Sequence, residues 1–234
     1  MTTPTTALLL VGSAKPAGES SSEALGSYLL ARLAAHNIAA TTWHVARALR
    51  TPARVAELLT AVDRADLFIL AFPLYVDGLP YLATAALEQI AAHRQAQTPL
   101  HPATFLAIAN CGFPEAHHNV TALAICAQFA ETAGFQWAGG LALGAGGVIH
   151  GQPLAKAGGL VRNVTAALDQ AAGALAAGEP LPQQVVTGMA QPLMPALAYM
   201  LMGDIGWLMQ ARQHHALTRL GAKPLAHRRT ARSA

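Results

Sequence analysis

The chain predicts an α/β domain with a doubly wound, five-stranded parallel sheet, and two observations carry that reading. Short β-type runs recur at even intervals, at residues 7–11, 39–46, 66–72, 103–110 and 135–144. Helical periodicity fills the gaps between and after them, near 22–36, 52–65, 80–95, 116–134 and 152–177. Strands alternating with helices of that length build parallel sheets through crossover connections. The second observation is the texture of the runs. The first, third and fourth, such as "ALLLV" and "DLFILAF", are almost continuously apolar. Strands covered by helices on both faces read that way, because neither side meets water.

Each element has a local reason. The first strand breaks at Gly12 into "GSAKPAGESSSEAL", a polar loop that resumes as an apolar-periodic helix. This loop is neither G-x-G-x-x-G nor G-x-x-x-x-G-K-[ST], so dinucleotide and triphosphate cradles are not indicated. Ser20, Ser21 and Ser22 fall where the helix begins, and unpaired N–H groups there favour an anion. Hydroxyls and amides with only Lys15 as a formal charge suit a monophosphate. A second reading stays open at this point: Ser20 caps the helix and Glu23 completes a capping box.

Doubly wound sheets hold ligands outside the carboxyl ends of their strands, where strand order reverses. The loops after strands one, three, four and five therefore converge. Besides the serine loop they are "PLYVDGLP" at 73–80, "NCGFPE" at 110–115 and "GAGGVIHG" at 144–151. Small residues let backbone approach a flat ligand, and Tyr75 or Phe113 offers a face to pack on it. A phosphate pocket beside a flat apolar slot suits flavin mononucleotide (FMN).

The pairing of G-S-x-K-x-x-G-x-S-S with P-L-Y-V-D-G-L-P after strand three resembles the NAD(P)H-dependent FMN reductase family of the flavodoxin-like superfamily, over roughly residues 5 to 178. The resemblance implies strand order 2-1-3-4-5 and non-covalent FMN. It implies that Ser13, Lys15, Ser20, Ser21 and Ser22 surround the phosphate. Pro73, Leu74, Tyr75, Val76, Asp77 and Gly78 would run along the ring system, with Asn110, Cys111 and Gly112 at its other edge. It further implies NADPH or NADH as electron donor, a quinone, nitro, azo or flavin acceptor, and a homodimer or higher homo-oligomer. Lys15 stands where the family's arginine is usual, which keeps the charge and loses the fork. No clustered cysteine motif is present, so an iron–sulfur centre is not expected.

The cofactor supplies such chemistry, so no catalytic side chain is assigned. Tyr75 and His150 are candidate substrate contacts. Cys111 lies in a ligand loop without an evident partner base, and Asp77 reads as a turn residue. Adjacent histidines (His117–His118, His214–His215) point about 100° apart on a helix and chelate poorly, so no metal is expected.

The composition bounds the alternatives. The 234 residues suffice for one well-buried domain with an appendage, divided here as 1–178 and 179–234. Hydrophobic residues reach 53% against 12% charged, which excludes a disordered chain. A net charge of +3 with no basic stripe gives nucleic-acid binding no support. The charge also argues against an electron-carrier flavodoxin, which is typically acidic for docking. An FMN-free protein-association module is the remaining alternative. Two cysteines outside any motif and a short apolar start without a basic flank lead to a cytoplasmic expectation.

The extension is unusual. Apart from Met1, all methionines lie at Met189, Met194, Met200, Met202 and Met209. Residues 189–209 are expected to form apolar helices acting as an interface and lid, with membrane contact the lesser alternative. The basic end, 223–234, is expected to be a flexible tail. No clamp for a nicotinamide 2′-phosphate is assignable, because sequence does not place the arginines.

Overall fold

The computed structural model describes residues 3–98 and 100–223; the greater part of the basic tail, 224–234, lies outside the described residues. The chain divides into two compact units, Met1–Leu193 and Met194–Ala234.

In the first unit, β1 (Thr6–Val11), β2 (Ala39–His44), β3 (Leu67–Pro73), β4 (Thr104–Asn110) and β5 (Gln136–Leu143) form one parallel sheet in the order β2-β1-β3-β4-β5. This is the doubly wound, flavodoxin-like topology, with its switch point between β1 and β3. Side chains alternate across each strand and separate two cores. Leu9, Val11, Ile69, Ile108 and Leu141 face α1 (Ser21–Ala34), α6 (Arg162–Ala176) and α7 (Gln183–Met189). Leu8, Leu10, Phe68, Leu70 and Phe105 face α2 (Val45–Ala48), α3 (Pro52–Asp63), α4 (Tyr81–Gln95) and α5 (Val120–Thr132). Phe105 anchors the second core, with ring centroids 5.1 Å from both Phe68 and Phe129. Each such aromatic pair adds roughly 0.5–1.5 kcal/mol beyond its buried area.

Three local outcomes differ from the sequence expectation. The second strand stops at His44, and Val45 turns into α2 because it and Ala48 are fully buried against the second core. The expected helix over 152–177 is regular only from Arg162. Pro153 and Gly158, the latter at φ 62°, break the preceding stretch into two 3-10 turns. The first unit also runs past residue 178, to Leu193. Val185 and Met189 of α7 are buried among the first core's residues, which removes Met189 from the exposed methionine segment.

β5 carries a glycine pair at a bulge. Gly139 sits at φ 133°, where the register shifts opposite Phe105 and Leu106. A Cβ there would lie 3.1 Å from Leu181, so glycine admits both the bulge and the chain leaving α6.

The second unit contains α8 (Ala196–Gln213) and a 3-10 turn at Leu217–Arg219. α8 starts after Pro195 and ends near His215, a left-handed residue at φ 53°. None of its residues is buried, and Leu197, Met200, Leu201, Ile205, Trp207 and Leu208 are exposed. Among the described residues no helix is long and apolar enough to cross a membrane.

Candidate functional site

The carboxyl ends of β1, β3, β4 and β5 deliver four loops to one edge of the sheet. A cleft of about 220 Å³ opens among them. It is lined by Ser13, Lys15 and Ser20 to Ser22 from the first loop, Pro73 to Tyr75 from the second, and Asn110 to Gly112 from the third. Gly147 of the fourth loop completes it; that loop was expected to converge, yet no feature of the sequence singled out this glycine.

In the serine loop one residue caps the helix and the two that follow leave main-chain amides free. Ser20 caps α1, its Oγ accepting from the Glu23 N–H at 3.0 Å. The capping box is incomplete: Glu23 Oε2 accepts instead from the Gly18 N–H at 2.7 Å and pins the loop. Ser21 Oγ donates to the Gly146 carbonyl at 2.7 Å. Ser22 Oγ accepts from Asn110 Nδ2 at 2.7 Å. Their main-chain N–H groups, in the first turn of α1, find no protein acceptor among the described residues. Ser13 is buried and accepts from the Lys15 N–H at 3.2 Å, while Lys15 itself is exposed at the rim. The result is a helix N-terminus with free amides, hydroxyls around it and one exposed cation. That combination is chemically suited to an anion.

Asn110 is the joint of the site. It is buried, its Nδ2 also donates to the Phe72 carbonyl at 3.1 Å, and its own carbonyl accepts from Leu74 N–H at 2.8 Å. One side chain thus couples α1, β3 and β4. Gly146 presses on it: a Cβ there would fall 2.7 Å from Asn110 Oδ1, so only glycine permits this approach.

The second loop divides. Tyr75 and Gly78 form an antiparallel bridge around Val76 (φ 48°) and Asp77 (φ 59°), the two-residue reversal of a tight hairpin. This carries Val76, Asp77 and Gly78 outside the lining of the cleft and leaves Val76 fully exposed. A β-branched residue in left-handed conformation is strained. His150, also left-handed at φ 50°, is exposed and does not line the cleft. Tyr75 and Phe113 are half-exposed, and only Tyr75 is part of the lining.

Burial pushes the Cys111 thiol up, against hydrogen bonds that act the other way. Its Sγ donates to the carbonyls of Phe113 and Glu115, each at 3.5 Å. A thiol held in its protonated form is not activated as a nucleophile. The His117 and His118 rings lie tilted together with centroids 4.3 Å apart, and His118 meets Phe113 in the same way. Among the described residues no three His, Cys, Asp or Glu gather to hold a metal ion.

No protein-family model matches the chain, and no curated protein sequence matches it. Solved structures do. An NADH:FMN oxidoreductase (EMOB) in its apo form aligns with a TM-score of 0.52 at 17% identity, over 82% of this chain and 97% of that one. The rubredoxin oxygen:oxidoreductase of Desulfovibrio gigas aligns at 0.51 and 11% identity, over 80% of this chain. The present chain spans only 37% of that protein's length. The Trp repressor binding protein of Bacillus subtilis aligns at 0.50 and 12% identity, over 70% and 96% of the two chains. Likeness at these identities establishes the fold.

Proposed function

We propose that this protein is an FMN-dependent NAD(P)H oxidoreductase acting on a quinone, nitro, azo or flavin acceptor. The observation that carries the reading is the serine cleft, where amides at the start of α1 stand unspent beside hydroxyls and an apolar slot. The residues fit the cofactor. The amides of Ser21 and Ser22, the hydroxyls around them and Lys15 would hold the phosphate. Pro73 to Tyr75, Asn110 to Gly112 and Gly147 would border the ring, with small or flat surfaces that tolerate close approach. A cleft smaller than the ~300–1,000 Å³ of enclosed small-molecule sites leaves the outer face of a flat group open to a second molecule. Bound flavin would supply the redox step, accepting a hydride from a reduced nicotinamide and passing two electrons to the acceptor. The chain's own part is to anchor the anion, orient the ring through the Asn110 joint and exclude water beneath it.

The similarity in fold to an NADH:FMN oxidoreductase is consistent with this reading, as is the net charge of +3, which does not suit an acidic electron carrier. We further propose a homodimer, because α8 buries no residue of its own and presents apolar side chains all round. Mass measurement of the Leu201→Glu, Leu208→Glu variant should give a monomer. A native mass for that variant would remove α8 from the interface.

The deciding experiment is the visible spectrum of the protein after FMN is added and the excess removed. A retained flavin spectrum, followed by NADPH or NADH oxidation that requires a quinone, is the expected result. A colourless protein overturns the reading and leaves an association module. Flavin bound without nicotinamide oxidation would point to the electron carrier.

A further inference from the structure

Three of the chain's 15 Lys and Arg residues fall within eight consecutive positions: Arg47, Arg50 and Arg54. The fold wraps this run around a cavity of about 470 Å³, walled also by Trp43 and His44. The cavity lies at the carboxyl end of β2, on the same edge of the sheet as the serine cleft. His44 pairs with Val11, the residue before Gly12, and neighbouring strands run about 4.8 Å apart. Glu23 links the two places. Its Oε2 holds the Gly18 N–H at 2.7 Å, and its Oε1 lies 3.1 Å from His44 Nε2, at an angle that makes no hydrogen bond.

The charges here are arranged against their own stability. Arg50 and Arg54 flank the N-terminus of α3, where the free N–H groups already present positive charge and the first turn holds no acid. Arg54 meets Glu57 at 2.7 Å on the exposed surface, a pair that contributes little in water. Arg47 and Arg50 have no ion-pair partner among the described residues. In a chain where only 12% of residues are charged, an anion between the guanidinium groups would stabilise such a cluster. Trp43 adds a flat wall, its body packed on the second core. Cations beside an indole suit a phosphate carried by a heterocycle.

We infer that this cavity binds an adenosine bearing a phosphomonoester, the 2′-phosphate end of NADPH. Arg47 and Arg50 take the phosphate and Trp43 packs against the adenine. The inference rests on the nicotinamide-dependent reading above and deepens it to a preference for NADPH over NADH. A guanidinium fork matches the oxygens of a phosphomonoester, whereas the 2′-hydroxyl of NADH offers it no charge.

The test is calorimetric titration of the full-length protein with 2′,5′-ADP, 5′-AMP and inorganic phosphate, which reports on this site whether or not flavin is bound. The expected result is that 2′,5′-ADP binds about 10–100-fold more tightly than 5′-AMP, the span of one or two charge-assisted hydrogen bonds. Arg47→Ala or Arg50→Ala should remove about tenfold each from that preference, and Arg50→Lys should restore part of it. In the flavin-loaded enzyme, the ratio of kcat/KM for NADPH over NADH should fall by a similar factor. Equal affinity for 2′,5′-ADP and 5′-AMP overturns the inference, as does a preference untouched by the arginine variants. Inorganic phosphate binding as tightly as 2′,5′-ADP overturns the adenosine assignment. Arginine-dependent binding of 2′,5′-ADP by a protein that retains no flavin supports this site while the flavoenzyme reading falls.

Discussion

The two ends of the sheet treat polar groups in opposite ways. At the amino end of the strands most polar side chains find partners, although the buried Asp63 Oδ1 and Arg94 Nη1 have none among the described residues. Asp66, just before β3, accepts from the N–H and the hydroxyl of both Thr5 and Thr6, at 2.8–3.0 Å. Arg94 at the end of α4 is fully buried, and donates to the carbonyls of Ala133, His101 and Gly134 while lying 3.9 Å from the Phe135 ring centroid. At the carboxyl end, donors in the first turn of α1 stand free, and Val76, Asp77, Ala145 and His150 all take left-handed backbone. One end stores stability. The other holds unsatisfied donors and strain in place, which is what a binding site requires.

This contrast breaks most clearly at Arg94. Arg94→Met keeps apolar bulk but strands the buried Ala133 carbonyl and two part-buried ones, and should cost about 3 kcal/mol with no direct effect on ligand binding. Denaturant unfolding checks this; an unchanged midpoint would remove Arg94 as an anchor. Gly146→Ala acts at the opposite end. Forcing a Cβ onto the buried Asn110 should cost about 1–3 kcal/mol and lower FMN retention after desalting far more than Arg94→Met does. Retention equal to the parent's would sever the Asn110 joint from the cofactor site.

Acid pH probes the amino end again. Burial would raise the Asp66 carboxyl, but the hydrogen bonds from Thr5 and Thr6 outweigh it and hold the group at about 2, below its ordinary 3.8. A depressed carboxyl stabilises the fold above its unfolded pKa and loses that contribution as pH falls through the folded one. The loss therefore falls between about pH 4 and pH 2 and amounts to on the order of 1 kcal/mol after solvent screening. Asp66→Asn should flatten that limb of the pH–stability curve; a limb as steep as the parent's would assign it elsewhere. The smallest effect is at the hairpin tip. Val76→Asn relieves a β-branched residue at positive φ and should raise stability by up to about 1 kcal/mol, read as a shift in the unfolding midpoint. No gain would show that Val76 rests there without strain.

Much of this was legible before any coordinates, for reasons that can be named. β1, β3 and β4 were readable because their apolar runs record burial on both faces, and the edge strand β2 because Thr41, Thr42 and Trp43 are strong strand formers. The serine loop was readable as two alternatives, and the structure shows why neither excluded the other: Ser20 caps, while the Ser21 and Ser22 amides remain free. The turn at Asp77 was read from the sequence, but not that Val76 would join it in left-handed backbone, because β-branched residues rarely adopt that conformation. Nor was the arginine cavity, since Arg47, Arg50 and Arg54 meet only after α2 replaces the end of an expected strand.

What the sequence determined by itself was periodicity: which segments are strands, which faces are buried, and that four loops of small and polar residues leave one edge of a parallel sheet. Those features depend on neighbours a few residues apart, so the linear order contains them. Only the tertiary structure decided that Asn110 would join Ser22 to Phe72, that Gly146 would press against it, and that three arginines would surround one cavity. Such contacts join segments tens of residues apart through packing of the whole sheet, and nothing in the local pattern of either partner records them.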